Sequence, residues 1–386
     1  PPNTFDLVSP ASATWTNNPS PTLTWSPSSD SGSGLAKYQL FIDAGLNRDN
    51  ISLAVTSTTA QSPLSEETYS WYIVAVDSVG NTRQADSTFT IKIDTTAPSD
   101  ITMISEPQYT QGLTNQVSWD TGTDSGSGIK DYNVQASSSS GFVWVSSDVW
   151  TSGTNWTFVG LGDGVTYYYQ VKGRDNAGNL SLNWSGTVYS LQDASPPLVF
   201  DLISPVNDIW RNENLVNFQW QGSTDTGSGL AKYQLWIDAS PVEDNISPTQ
   251  TSTTTFVPTG IHTWYVKAID NVNNVKQSNE IWTIGIDTTP PVSKINLPME
   301  NAKLRALALI TGTANGWYSG LEKVEIKISS YSAGADIYTW TGSSWSPNIH
   351  WLDVSDDTST VGDITVTWNY TGTVGYTDAA TYRIIS

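Results

Sequence analysis

A chain of 386 residues is longer than one ordinary domain, and this length indicates two to four domains. Only 14% of the residues are charged, and the 18 Trp and 17 Tyr favour β-sheet domains over helical ones. The net charge of −20 excludes nucleic acid and anionic membranes as partners, and the lack of Cys excludes disulfides, thiol catalysis and thiolate zinc sites. No run is long and apolar enough to predict membrane insertion.

Three similar segments recur along the chain. They read SDSGSGLAKYQLFID from Ser29, TDSGSGIKDYNVQAS from Thr123 and TDTGSGLAKYQLWID from Thr224. Each copy is followed by a proline-bearing segment, namely IDTTAP, QDASPP and IDTTPP, and proline is typical of strand ends and linkers. These segments divide the chain into four predicted units of roughly 95 residues, the size of an immunoglobulin-type sandwich. We call residues 1–97, 98–195, 196–290 and 291–386 modules 1, 2, 3 and 4.

In module 1, alternation of apolar and polar residues predicts four principal strands, each with one buried face. In the order B, C, F and G these strands are Thr22–Ser26, Ala36–Asp43, Tyr69–Asp77 and Ser87–Asp94. Modules 2 and 3 repeat each of them, and no segment shows a sustained period of 3.6 residues. The sequence therefore predicts an all-β protein.

The joint order of these motifs resembles fibronectin type III and bacterial immunoglobulin-like repeats of large, adhesin-type surface proteins. The resemblance rests on a Trp in strand B, a Tyr in strand C, aromatic residues opening strand F, and the patterns D-x-G-S-G-[LI] and D-x-x-G-N. It implies four tandem immunoglobulin-like or fibronectin type III-like β-sandwiches in an elongated array. Module 4 is more distant, and its last residues, TYRIIS, fall within what should be strand F. We expect its strand G to come from a following segment or from another chain.

Aspartates recur at the ends of these modules, and head-to-tail stacking would bring them together. The stacking groups Asp94 with Asp124 and Asp175, and Asp193 with Asp225 and Asp270, and it leaves Asp30 with Asp77 as a pair. Asp287 faces module 4, which carries Gly316 where the other modules carry the loop aspartate. Oxygen ligands without His or Cys indicate Ca²⁺, which would stiffen the linkers. The alternative is that each Asp only begins a turn by accepting hydrogen bonds from nearby backbone.

Some aromatic residues are candidates for stacking on a sugar ring. Phe41 and Trp236 lie on the outward phase of strand C, and Trp340 and Trp345 bracket a TGSS turn in module 4. The alternative for each is packing beneath a loop or a neighbouring strand. Only two histidines occur, His262 and His350, and neither lies in a catalytic motif, so we expect no enzyme.

These features predict a secreted or cell-surface protein whose modules form a calcium-stiffened stalk or adhesion region. Its partner would be a ligand or glycan on a host or neighbouring cell. One alternative is a carbohydrate-binding accessory array of a secreted hydrolase, favoured by the outward Phe41 and Trp236. Another is a filament or S-layer subunit that self-associates by strand complementation through module 4.

Overall fold

The computed structural model describes residues 1–304, 309–354, 365–372, 374 and 381–386. The chain forms two compact units, Pro1–Ser195 and Pro196–Ser386. Across the described residues there are β-strands and no helix, which confirms the all-β fold. It follows that no helix in these ranges is long and apolar enough to cross a membrane. The predicted module boundaries stay a prediction, although each unit contains two separate hydrophobic cores.

Module 1 is a sandwich of two sheets in the first unit. Its strands are β1 (Leu7–Ser9), β2 (Thr14–Thr16), β3 (Leu23–Trp25), β4 (Leu35–Ile42), β5 (Gly45–Ile51), β6 (Ser57–Thr58), β7 (Thr68–Asp77), β8 (Thr82–Gln84) and β9 (Phe89–Ile93). One sheet has the order β1-β3-β6, and the other has the order β2-β9-β7-β4-β5 with β8 paired to β7. Tyr38, Leu40 and Trp71 are at most 2% exposed between the sheets, because alternate residues of β4 and β7 point to the same face.

Module 2 is the second sandwich of the first unit. Its strands are β10 (Tyr109–Gln111), β11 (Thr114–Ser118), β12 (Ile129–Ser137), β13 (Val145–Thr151), β14 (Asn155–Val159), β15 (Thr166–Asp175) and β16 (Val188–Asp193). A five-stranded sheet has the order β10-β16-β15-β12-β13 and faces the pair β11-β14. Buried Trp119, Tyr132 and Tyr169 fill the space between them.

The second unit begins with module 3, which repeats module 1. Its strands are β17 (Leu202–Ser204), β18 (Ile209–Arg211), β19 (Leu215–Trp220), β20 (Leu230–Ile237), β21 (Ser240–Ile246), β22 (Ser252–Phe256), β23 (Gly260–Asp270), β24 (Val275–Gln277) and β25 (Trp282–Ile286). The sheets have the orders β17-β19-β22 and β18-β25-β23-β20-β21, with β24 paired to β23. Trp220, Tyr233 and Trp264 are at most 1% exposed in its core.

Module 4 completes the second unit. Its described strands are β26 (Val292–Leu297), β27 (Ile310–Asn315), β28 (Glu325–Ser332), β29 (Ala335–Trp340), β30 (Trp345–Ser346), β31 (Leu352–Asp353), β32 (Thr365–Tyr370) and β33 (Thr381–Ile385). One sheet has the order β26-β27-β32, and the other has the order β30-β29-β28-β31 with β33 paired to β28. The fully buried side chains of Ile326, Ile328 and Trp368 lie in its core.

One strand type was not predicted. The short strands β2, β10 and β18 each run parallel to the last strand of their own sandwich, β9, β16 and β25 respectively. Strands of three residues carry too little alternation to be recognised in a sequence. The last strand of each sandwich is therefore paired on both sides. The last aspartate of the module, namely Asp94, Asp193 or Asp287, ends that strand or directly follows it.

Candidate metal centre

Strand pairing inside the first unit brings three distant aspartates to one place. Asp94 directly follows β9, Asp124 lies in the loop between β11 and β12, and Asp175 ends β15. Strands β12 and β15 are antiparallel, and their register opposes Ile129 to Asp175. The loop that enters β12 therefore lies beside the end of β15, and Asp94 approaches this pair from module 1.

The three carboxylates form a compact and largely buried group. Each contributes one oxygen, and these oxygens all lie within 4.8 Å of one another. Asp94 is 1% exposed and Asp175 is fully buried. The Oδ2 atom of Asp124 is also buried, and it has no hydrogen-bond partner. A buried carboxylate oxygen without a donor is energetically unfavourable unless a cation faces it.

Backbone and amide donors hold the group in place. Asp94 Oδ2 accepts a hydrogen bond of 2.7 Å from the nitrogen of Ser127, and Asp175 Oδ1 accepts one of 2.8 Å from the nitrogen of Asn179. The Asn179 side chain donates to Asp175 Oδ2 at 2.7 Å and to the Asp94 carbonyl at 2.9 Å. Asp124 Oδ1 accepts from the nitrogen of Gly128 at 2.6 Å. These donors are uncharged, so they orient the carboxylates without neutralising them.

The geometry is suited to a hard divalent cation. At an effective dielectric constant of 20, two unit charges 4.8 Å apart repel by about 3 kcal/mol. None of the ion pairs among the described residues includes Asp94, Asp124 or Asp175. Ca²⁺ takes six to eight oxygen ligands, and carboxylates bound through one or both oxygens supply most of such a set. These three residues could therefore hold Ca²⁺ together with backbone carbonyls or water.

In the second unit, Asp225 and Asp270 are held in the same manner. Asp225 Oδ1 accepts from the nitrogens of Gly227 and Gly229 at 3.0 and 2.8 Å. Asp270 is 1% exposed and accepts from the nitrogen of Asn274 at 2.8 Å. Their predicted partner Asp193 ends β16 in the first unit and is fully buried there. The grouping of Asp193 with Asp225 and Asp270 joins two separately described units, and it stays a prediction.

Asp30 and Asp77 form the predicted pair in module 1. Asp30 Oδ1 accepts hydrogen bonds of 3.0 Å from the nitrogens of Gly32 and Gly34. Burial raises the pKa of Asp77, but hydrogen bonds from the side chain and backbone of Asn81 and from Val79 outweigh it and lower the pKa overall. Both carboxylates thus accept hydrogen bonds from their own loops, and a metal at this pair stays a prediction.

Asp287 is surrounded by donors. It is 7% exposed, and its Oδ2 accepts hydrogen bonds from the nitrogen and the hydroxyl of Ser319 at 3.0 and 2.8 Å. Burial raises its pKa, but the hydrogen bonds from Ser319 and Thr289 prevail and lower it. At Gly316 a Cβ would lie 2.1 Å from the Gly320 carbonyl oxygen, so no aspartate fits there. Hydrogen bonds take the place that the junction of modules 1 and 2 gives to carboxylates, which disfavours the predicted metal at Asp287.

The predicted sugar-stacking residues mostly contact other rings. Phe41 stacks on Tyr72 with ring centroids 5.1 Å apart, and Trp236 stacks on Tyr265 at 5.8 Å. The ammonium of Lys267 lies 3.7 Å from the centroid of Trp236 and covers its ring.

In module 4, Trp340 is 5% exposed, and its ring packs edge to face against the half-buried Trp345. Its indole nitrogen donates to the Tyr370 hydroxyl at 3.1 Å. Packing, the alternative given for this pair, is what the structure shows.

His262 has the geometry of a structural residue. Its Nδ1 lies 2.6 Å from Asp238 Oδ2 and its Nε2 lies 3.0 Å from the Pro258 carbonyl. Both ring nitrogens therefore face oxygen atoms of the same module, and these contacts hold the ring near the start of β23.

The sequence analysis missed two acidic residues that fix the linkers. Glu66 Oε1 accepts hydrogen bonds from the nitrogen of Thr95 at 3.1 Å and from the hydroxyls of Thr95 and Thr96 at 2.6 and 2.8 Å. Asp163 does the same one module later, accepting from the nitrogen of Ala194 at 2.8 Å and from the hydroxyl of Ser195. These bonds lower the pKa of both carboxyls. The signal, present in modules 1 and 2, was an acidic residue ahead of strand F together with a Thr or Ser just after the last Asp of the module.

The chain matches no family model. It is similar to Exoglucanase B of Cellulomonas fimi, with 26% identity over 321 residues, which is 78% of this chain and 28% of the relative. Endoglucanase B of the same organism is 25% identical over 337 residues, 83% of this chain and 30% of the relative. Chitinase A1 of Niallia circulans is 32% identical over 169 residues, 42% of this chain and 22% of the relative. The chain therefore spans less than a third of the length of these curated relatives.

Two solved structures are similar at low identity. The FN1–FN3 domains of chicken CNTN1 are 15% identical and have a TM-score of 0.33, covering 74% of this chain and 98% of that one. The fibronectin(III)-like modules of Clostridium thermocellum CbhA are 13% identical with a TM-score of 0.34, covering 48% of this chain and 92% of that one. The strand orders of the chain itself show tandem β-sandwich modules.

Proposed function

We propose that this chain is a non-catalytic accessory region of a secreted polysaccharide-degrading enzyme, whose consecutive modules are held by Ca²⁺. The observation that carries the proposal is the alignment over 321 residues with a relative named as an exoglucanase, of which it covers only 28%. The other two relatives are named as an endoglucanase and a chitinase. A repeated region shared by enzymes of different substrate is expected to serve positioning rather than bond cleavage.

The arrangement of the acidic groups supports a role without catalysis. Glycoside hydrolysis generally uses two carboxyl groups about 5–9.5 Å apart, with the scissile bond between them. The clustered oxygens of Asp94, Asp124 and Asp175 lie within 4.8 Å of one another, are largely buried and accept backbone hydrogen bonds. This geometry leaves no room for a sugar between the carboxylates but suits a metal ion.

Calcium at this junction would fix the direction in which module 2 follows module 1. The ligands come from the end of β9, from the loop before β12 and from the end of β15. A cation bound to all three converts mutual repulsion into attraction across the linker. A secreted protein meets millimolar Ca²⁺, which is within the range that extracellular modules bind.

The adhesive stalk predicted from the sequence would use the same calcium-held geometry. None of the relatives named above is an adhesin, and their names support the accessory array instead. We therefore assign the modules to an extracellular enzyme and treat the cell-surface stalk as the weaker proposal.

The test is a calcium titration of the chelator-treated chain, followed by melting temperature. If Ca²⁺ binds only the folded form, stability rises by about 2.7 kcal/mol when the ion reaches a hundred times its dissociation constant. The double variant Asp94→Asn, Asp124→Asn should lose most of this rise, while Asp287→Asn, whose partners are hydrogen-bond donors, should keep it. An unchanged melting temperature up to about 10 mM Ca²⁺ would contradict the metal site. Release of reducing ends from glucan or chitin by the chain alone would contradict the non-catalytic role.

A further inference from the structure

The outer face of the five-stranded sheet in module 2 differs from the equivalent faces of modules 1 and 3. We infer that this face, centred on Gln135 and Gln170 between Trp150 and Tyr189, binds a neutral polysaccharide chain such as a β-glucan. The inference rests on the proposed function, because it names the polymer class that an accessory region of a polysaccharide hydrolase would contact.

Strand register places these residues on one side of the sheet. Tyr132, Val134 and Ala136 of β12 are buried in the core, so Gln135 between them points outward. Gln135 pairs with Gln170 of β15. On one side Asn133 pairs with Trp150 of β13, and on the other Tyr168 pairs with Tyr189 of β16.

Two aromatic rings of the face, on β13 and β16, are open to solvent. Trp150 is 43% exposed although the guanidinium of Arg174 lies 4.0 Å from its ring centroid. Tyr189 is 54% exposed, with its ring 5.7 Å from that of Tyr168 and tilted by 45°. A flat apolar ring is complementary to the CH-bearing face of a pyranose.

Between the rings lie amides with hydrogen-bonding capacity to spare. Gln170 Nε2 donates to Gln135 Oε1 at 2.8 Å, a contact that fixes both side chains. A side-chain amide has two N–H donors and one carbonyl with two lone pairs, so each glutamine retains groups for a ligand hydroxyl. Asn133 is likewise fixed, donating to Asp148 Oδ1 at 2.5 Å.

Charge selects a neutral ligand. The basic residues of the face, Lys172 and Arg174, are balanced by the acidic Asp131 and Asp148. Arg174 forms a two-point ion pair with Asp131 at 2.9 and 2.7 Å, so its charge is already neutralised. The net charge of −20 of the whole chain repels anionic polymers.

Shape selects a polymer. Five strands at a spacing of about 4.8 Å make a face about 19 Å wide between the outermost strand axes. Sites for small molecules are concave, whereas a sheet face of this kind is open. An extended chain can touch Trp150, Tyr189 and the central amides at once.

The repeats provide an internal comparison. At the position of the Gln135–Gln170 pair, module 1 has the stacked Phe41 and Tyr72, and module 3 has the stacked Trp236 and Tyr265. In those modules the rings cover each other in the middle of the sheet. In module 2 the equivalent pair is hydrophilic, and the exposed rings stand on β13 and β16.

The experiment measures binding of the full chain to neutral soluble β-glucan by affinity electrophoresis, and to cellulose and chitin by co-sedimentation. We expect Trp150→Ala with Tyr189→Ala to weaken binding at least about tenfold, equivalent to about 1.4 kcal/mol. The melting temperature of that variant should stay near that of the parent chain, and the control Trp236→Ala should bind as the parent does. Gln170→Leu should weaken binding with both rings intact.

Three outcomes would overturn the inference. The first is that the parent chain binds no neutral polysaccharide, and the second is that it binds only an anionic one. The third is that Trp236→Ala abolishes binding while the module 2 variants keep it. None of these outcomes changes the result of the calcium titration. A failure of the binding proposal is therefore distinguishable from a failure of the proposed function.

Discussion

Asp94 Oδ2 accepts a 2.7 Å hydrogen bond from the backbone nitrogen of Ser127, 33 residues further along the chain. The bond joins the residue after the last strand of module 1 to the glycine-rich loop of module 2. It requires the loop backbone to approach the carboxylate closely. A Cβ on Gly126 would lie 2.5 Å from the same oxygen, nearer than any ordinary contact.

Gly126→Ala should therefore disturb the junction. The alanine methyl group would force Asp94 or the loop aside, and we expect a loss of about 1–3 kcal/mol and a weaker response to Ca²⁺. Gly32 occupies the same position in module 1, but a Cβ there would lie 3.5 Å from Asp30 Oδ1, an ordinary contact. Gly32→Ala is thus the matched control. Equal melting temperatures for the two variants would argue against the close approach.

The linker bonds of Glu66 should depend on pH. Hydrogen bonds from Thr95 and Thr96 lower the pKa of Glu66 below its ordinary 4.5, so the folded state favours the ionised form. The stabilisation is therefore fully present above about pH 4.5 and is lost as the pH falls through the lower, folded-state pKa. The amide resonances of Thr95 and Thr96 should shift across this range. This pH-dependent shift should be absent in Glu66→Gln. It should remain in Glu67→Gln, the control at the neighbouring exposed glutamate.

Ser319→Ala should destabilise module 4 at neutral pH by about 1.5–3 kcal/mol, because the buried Asp287 loses the Ser319 hydroxyl as a donor to its charged form. Loss of the hydroxyl bond raises the pKa of Asp287 towards its ordinary value. Since that pKa is lowered in the parent chain, the advantage of the parent exists above about pH 4 and vanishes as the pH falls. Urea denaturation at pH 7 and pH 3 measures it. Ser343→Ala, at an exposed serine of the same module, should behave as the parent at both values.

Tryptophan 71 is fully buried and packs edge to face on Phe89 with ring centroids 5.8 Å apart. Trp71→Ala should cost about 3–5 kcal/mol, since the core cannot collapse around so large a cavity. Trp144 is 76% exposed, and Trp144→Ala should change the free energy of unfolding by no more than about 0.5 kcal/mol. Chemical denaturation compares the two. A similar loss in both would mean that the ring of Trp144 is buried in solution.

Much of the fold followed from local pattern. The alternation in Ala36–Asp43 and Tyr69–Asp77 predicted strands that the structure places at Leu35–Ile42 and Thr68–Asp77. These strands are long enough for a period of two to be recognised, and their apolar residues face a single core. The parallel contact between β2 and β9 could not be predicted, because Thr14–Thr16 has only three residues.

The sequence grouped the members of the candidate metal centre, but it could not give the hydrogen bonds that orient them. Repetition of D-x-G-S-G and the fibronectin type III resemblance together grouped Asp94 with Asp124 and Asp175, and the structure brings these three within 4.8 Å. The hydrogen bonds that orient these aspartates, such as those from Asn179, depend on backbone positions that the loops set. The same pattern led to Asp287, where Ser319 supplies donors instead.

The sequence by itself determined the all-β class, the repeated strands and which carboxylates recur, since alternation and repetition are properties of the chain alone. Only the tertiary structure decided what each recurring residue faces. Asp94 meets two carboxylates whereas Asp287 meets a serine, and Trp236 is covered by Lys267 whereas Trp150 remains 43% exposed. These differences arise because the atoms around a side chain come from strands distant in sequence, and their distances are set only when the sheets pack.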